Sequence, residues 1–125
     1  MTLYSYLARL QDSILSRQDI SVHHLHIEPT SVGGILEAEL SFLDGSRLVI
    51  EEAVERRGRH EVQCTYYKYH YQHADGTLIF RYDNAPHHPH LSTFPHHKHT
   101  GSAVASATRP DLSQVLREID TFIYP

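Results

Sequence analysis

Apolar residues recur along this chain with two different periods. Near the start, Leu3, Leu7, Leu10 and Ile14 follow one another at helical steps with Tyr6 beside them, which predicts an amphipathic helix. Near the end, Leu112, Val115, Leu116, Ile119 and Ile123 form a second stripe of the same kind. Asp111 with Gln114 three residues on has the form of a capping box and marks where that helix begins.

Between the two stripes the period drops to two. Leu36, Ala38, Leu40 and Phe42 alternate with Glu37, Glu39 and Ser41, the pattern of a half-buried strand. Asp44-Gly45 supplies a tight turn, and Leu48 to Val54 returns as the hairpin partner. Asp19 to Glu28 reads as an earlier strand with a mixed alternation, ended by Pro29. Gly58 lies in a basic turn at Arg56 to Arg59. His60 to His73 is a long strand rich in tyrosine, and Asp75-Gly76 turns it back into Thr77 to Tyr82. Residues 84–100 hold three prolines and no periodic apolar pattern, so they read as a long loop, the kind that often carries function. The expectation is an α+β domain spanning residues 1–125. It has a mainly antiparallel meander of about five strands, with an N-terminal and a C-terminal helix packed on one face.

Composition narrows the function. With 125 residues, 40% hydrophobic and 21% charged, the chain has the balance of an ordinary globular domain. One cysteine, Cys64, excludes an intrachain disulfide and reads as a small buried apolar residue. The formal charge of −4 excludes a broadly basic nucleic-acid binder, so any RNA or DNA contact must be local. The first residues lack the basic start and apolar run of a secretion signal, and no stretch is long and apolar enough to span a membrane. A cytoplasmic location is expected.

The 12 histidines change the picture most. Six fall between His87 and His99, in two echoes of Pro-His-His-x-His at Pro86–His90 and Pro95–His99. Imidazole gains and loses a proton near neutral pH, which suits acid–base catalysis, metal ligation or a pH-sensitive contact. Arg81 and Asp83 end the preceding strand on one face, and Lys98 sits inside the second echo. A carboxylate, two cations and several imidazoles make a phosphate-processing set. The plainer reading is an ion pair of Arg81 with Asp83 that anchors a solvated loop. Tyr67, Tyr69 and Tyr71 share one face of their strand, with Tyr66 and His70 on the other. Aromatic faces stack nucleobases, although tyrosine in a strand more often packs in the core. Tyr69 and His70 are the candidates for contacting a base, and Arg57, in the basic turn, for gripping phosphate. His23, His24 and His26 form a smaller cluster, read first as surface residues.

The run Arg81-Tyr82-Asp83-Asn84-Ala85-Pro86-His87-His88-Pro89, followed by Thr93-Phe94-Pro95-His96-His97-Lys98-His99, resembles the signature of the TumE family. These are small bacterial proteins regarded as the toxin half of TumE–TumA toxin–antitoxin pairs. The Tyr-x-Tyr strand and Asp-Gly turn before the motif, and the helix after it, agree with the resemblance. It is specific from about Tyr67 to His99, and it departs at His90, where an acidic residue is common. It implies growth inhibition and a cognate antitoxin protein as partner.

Three functions follow as expectations. The leading one is a metal-independent ribonuclease, with RNA as substrate and its 2′-hydroxyl as nucleophile. Acid–base work would fall to His97 with His87 or His99, Arg81 and Lys98 would steady the charge, and Asp83 would orient an imidazole. The second is a metal site with no cysteine, in which His87, His88 or His90 joins His97 and His99 around zinc or a similar divalent ion, with Asp83 as an oxygen donor. The third is a toxin without catalysis whose histidine loop binds a protein partner and inhibits by occupancy, a role that exposed hairpin edges and an aromatic strand also fit. A homodimer is left open.

Overall fold

The structure is a computed structural model that describes residues 1–125. Its elements run α1 (Leu3–Leu15), β1 (Ile20–Pro29), β2 (Gly33–Phe42), β3 (Arg47–Arg57), β4 (Glu61–Gln72), β5 (Leu78–Asp83), β6 (His97–Thr100), β7 (Ala103–Ser106) and α2 (Leu112–Ile123). The strands lie in sequence order in one open antiparallel sheet. The α+β class and the meander agree with the sequence reading, but there are seven strands, not about five. The two additional strands come from the end of the expected loop and the residues after it. Neither His97-Lys98-His99-Thr100 nor Ala103-Val104-Ala105-Ser106 carries an apolar alternation, so periodicity was blind to both. Their tight connection uses Gly101 at φ +52°, a conformation that favours glycine.

Both helices pack on the same face. Leu10 and Ile14 of α1 and Leu112, Val115, Leu116 and Ile119 of α2 join Leu36, Leu40, Leu48, Ile50, Tyr69, Tyr71 and Phe80 of the sheet in one apolar cluster. Thr2 caps α1 through the Ser5 amide, and the Asp111–Gln114 capping box of α2 is formed in both directions. The mixed signal in β1 has a local cause. A bulge between Val22 and His24 shifts the alternation, so Ile20 before it and Leu25 and Ile27 after it all turn toward the helices. Gly33, where the β1–β2 hairpin closes, lies against the neighbouring strand; a Cβ there would fall 2.0 Å from the Val54 carbonyl oxygen.

The register places side chains in rows across the sheet. On the helix side, Leu25, Ala38, Ile50, Tyr69, Tyr82, Lys98 and Ala105 are successive partners. The rows on either side of it point to the helix-free face. One is His26, Glu37, Glu51, Lys68, Asp83, His97 and Ser106. The other is His24, Glu39, Val49, His70, Arg81, His99 and Val104. The open face is therefore polar, and chemistry-bearing groups gather where β4, β5 and β6 run side by side. No helix is long and apolar enough to cross a membrane.

Candidate active site

Asp83 closes β5 and is 6% exposed. Its carboxylate is surrounded by donors. The Ala85 amide donates to Oδ1 at 3.0 Å, His97 Nε2 lies 2.9 Å from the same oxygen, and Arg81 Nε donates to Oδ2 at 3.2 Å. His99 Nε2 stands 3.6 Å from Oδ2. Antiparallel pairing explains the convergence, because Asp83 is opposite His97 and Arg81 is opposite His99, all with side chains on the open face.

His97 is 1% exposed. Its Nδ1 lies 2.8 Å from the Pro95 carbonyl oxygen. A carbonyl can only accept, so Nδ1 carries a proton and Nε2 is the nitrogen presented to Asp83. His88 reaches into the same place from the loop, at φ +60°, an uncommon conformation for a residue with a side chain. Its ring lies 5.3 Å from that of His97 and 5.8 Å from that of His99, and the His97 and His99 rings are 4.9 Å apart. One ring nitrogen from each of His88, His97 and His99 lies within 4.8 Å of the other two. Burial lowers the pKa of His99, and the neighbouring Arg81 cation lowers it further, against the Asp83 carboxylate, which raises it.

A hollow of ≈ 220 Å³ opens over this cluster, walled by Tyr66, Lys68, Arg81, Asp83, Ala85, His87, His88, His97 and His99. Lys68 and Tyr66 are tied to Glu51 by contacts of 2.9 Å each. Arg81 uses only Nε within the protein; its terminal nitrogens make no internal hydrogen bond and its side chain is 35% exposed. The loop that delivers His88 is held at several points. Asn84 accepts from the Tyr67 amide and donates to the Thr65 carbonyl. Thr93 Oγ1 donates to the His96 carbonyl and accepts from the Ala107 amide, and His96 stacks on Tyr67.

Of the residues singled out from the sequence, Arg81, Asp83, His87, His97 and His99 meet at this hollow. His87 stands exposed at its rim. His90 is also exposed; its ring lies 6.0 Å from that of His88, and it is outside the cluster. Three others go elsewhere. Lys98 belongs to the helix-side row and pairs with Glu118 of α2 at 2.6 Å, with its ammonium over the rings of Tyr82 and Phe80. Tyr69 is fully buried on the helix side and donates to Glu52, so it has no face for a base. Arg57 pairs with Glu55 and Gln63 seven positions along the β3–β4 ladder from Lys68, roughly 20 Å at ~3.3 Å per residue. His70 does lie on the open face, beside Arg81, with Nε2 3.1 Å from Gln72. Sequence reasoning missed Lys68 and Tyr66 as walls. The signal for Lys68 was the Asp75-Gly76 turn, from which counting back pairs Lys68 with Asp83.

A second polar group is buried under the helices. Glu52, 3% exposed, accepts from the hydroxyls of Tyr6 and Tyr69 and pairs with Arg109 at 3.3 Å. Arg109 also lies over the Tyr67 ring. This network ties α1, β3, β4 and the segment before α2 together.

A small antiparallel sheet with helices on one side, and a histidine–carboxylate–guanidinium hollow on the other, makes this a compact α+β domain with a bare, polar sheet face. The family model described as Toxin TumE matches residues 10–123, and the chain belongs to that family. Comparison with curated proteins and with solved structures gives no match. Membership of a toxin family implies an antitoxin as partner.

Proposed function

We propose that this toxin acts by cleaving RNA at the hollow on the open sheet face. The observation that carries the reading is the convergence there of a guanidinium with free terminal nitrogens, a buried carboxylate and three imidazoles. The 2′-oxygen of RNA attacks the adjacent phosphorus, its proton leaves to a base, the bond to the 5′-oxygen breaks, and that oxygen takes a proton. Arg81 presents its free Nη groups to the phosphate oxygens that gain charge along this path. His87, exposed on the rim, is the imidazole able to exchange protons with solvent and substrate together.

His97 is not assigned proton transfer. Its ring is sealed, and its nitrogens are occupied by Pro95 and Asp83. In-line displacement needs base and acid on opposite sides of phosphorus, each within hydrogen-bond reach. The nitrogens of His88, His97 and His99 are too close together to straddle it. They act from one side as a unit.

The test is incubation of the purified chain with an RNA and with DNA of the same sequence. Cleavage of RNA alone, leaving a 2′,3′-cyclic phosphate, is expected. Arg81→Ala should lower the rate about 10²–10³-fold, as loss of a charge-stabilising donor does elsewhere. No cleavage of any RNA, with growth inhibition intact in cells, would move the toxin to inhibition by binding.

A further inference from the structure

Two imidazoles beside one buried carboxylate, with the ring of His88 next to both, pose an electrostatic question of their own. If His97 Nε2 carried no proton, its lone pair would face an anionic oxygen at 2.9 Å, which is repulsive unless a cation stands between them. A proton can fill that role for one pair of atoms. It does nothing for His88 and His99, whose ring nitrogens make no hydrogen bond within the protein although they point into the same space. Protonating all three rings would set like charges side by side against a carboxylate that Arg81 already shares.

We infer that His88, His97 and His99 hold one divalent transition-metal ion of the zinc class, with Asp83 Oδ1 as the fourth donor. The donor types fit, since imidazole and carboxylate suit zinc and its neighbours, whereas calcium and magnesium want oxygen alone. The orientation fits as well. A ligating histidine characteristically gives its other N–H to a backbone carbonyl, and His97 Nδ1 does so to Pro95. Ligands at about 2.0–2.2 Å from a tetrahedral ion stand about 3.3–3.6 Å apart, so the His97–Asp83 edge of 2.9 Å opens by about half an ångström to admit one. The His88 and His99 nitrogens, within 4.8 Å, have to draw in by up to about 1.5 Å, which a loop residue and a half-buried ring can do. His88 holds its unfavourable φ of +60° while its ring points to this spot, and backbone strain of that kind persists where the surrounding structure enforces it, as at ligand clamps.

The inference deepens the RNA-cleaving reading and rests on it for the ion's task, though not for its binding. The ion would face the hollow beside Arg81 and withdraw charge from a phosphate oxygen there.

The experiment uses full-length protein prepared without a metal-affinity column or tag, freed of metal with a chelator, and titrated with zinc against a chromophoric competitor. One ion per chain is expected. His88→Ala and His99→Ala should each weaken binding beyond about 100-fold, and Asp83→Asn about 10–100-fold, the range seen when groups supporting a metal are altered. His90→Ala and His23→Ala should leave it unchanged. Circular dichroism of each variant checks folding, and cobalt substitution gives visible d–d absorption as a second readout independent of activity. Zinc binding that is absent, or equal in His88→Ala and His99→Ala to that of the unaltered chain, overturns the metal site. RNA cleavage that persists in excess chelator also overturns the ion's role while leaving the ribonuclease reading standing. Stoichiometric zinc with no RNA cleavage does the reverse.

Discussion

Replacing Asp83 by alanine in metal-free protein removes the acceptor on which the site is built, and the cost can be worked from its neighbours. His97 is sealed from water and loses the partner of Nε2. Breaking a buried charged pair from one side costs about 3–5 kcal/mol. The Ala85 amide loses its acceptor at 3.0 Å, a further ~1 kcal/mol. Arg81 is about a third exposed and adds at most about 1 kcal/mol, because solvent screens its pair. The sum is about 4–7 kcal/mol. For 125 residues the unfolding entropy gives roughly 4 °C per kcal/mol, so Tm should fall by about 15–30 °C. Asp83→Asn keeps an oxygen for the Ala85 amide and for His97, and should lose about half as much. Urea unfolding followed by circular dichroism, in buffer containing a chelator, measures both. A loss under about 1 kcal/mol for Asp83→Ala would refute the reasoning, since it would mean that Asp83 and His97 do not hold each other in the folded chain.

Lys98→Ala should cost about 1 kcal/mol through its half-buried pair with Glu118 and leave RNA cleavage unchanged, because Lys98 is on the helix side; a fall in cleavage without unfolding would contradict that placement. Glu52→Ala removes the acceptor of the Tyr6 and Tyr69 hydroxyls and the anion paired with Arg109, and should cost about 3–5 kcal/mol in the same denaturant assay. Cys64 is half-buried, and burial pushes its thiol pKa up to about 11, so its thiolate is scarce at neutral pH. Its alkylation rate should be far below that of a free thiol at pH 8 and climb until pH approaches 11; a rate that levels off near pH ~8.5 would show an ordinary thiol.

The sequence carried the architecture wherever one side of an element met apolar partners. Both helices, and the strands through Tyr82, announced themselves because Leu, Ile, Val and Tyr mark the buried side. The last two strands were hidden because their inward row is Lys98 and Ala105, one a cation spread over Tyr82 and Phe80, the other a small residue. That hidden pairing matters most to the site. Treating 84–100 as one loop concealed that His97 and His99 stand on a strand beside Asp83 and Arg81, and that Lys98 between them must face away. Alternation inside His97-Lys98-His99 held that information, but without an apolar reference it had no sign. Tyr69 and His70 illustrate the same rule with a reference present. The Tyr67-Tyr69-Tyr71 face was legible as one face, and burial against α1 and α2 makes it core, leaving the open face to Tyr66, Lys68 and His70. The Glu52–Arg109 network gave no sequence signal, because its members are 57 residues apart and meet only when the segment before α2 crosses the sheet.

The claim that the open-face hollow receives RNA is tested most directly by nuclear magnetic resonance titration with an oligoribonucleotide whose 2′-oxygens are methylated, so that it binds without being cut. Shifts confined to the Arg81 side-chain N–H and the rings of His87, His88 and His99, with the helix-side Lys98 and Arg109 unmoved, are the result this account predicts. Shifts that map to the helices or to the sheet edges, with those open-face groups unchanged, would contradict it.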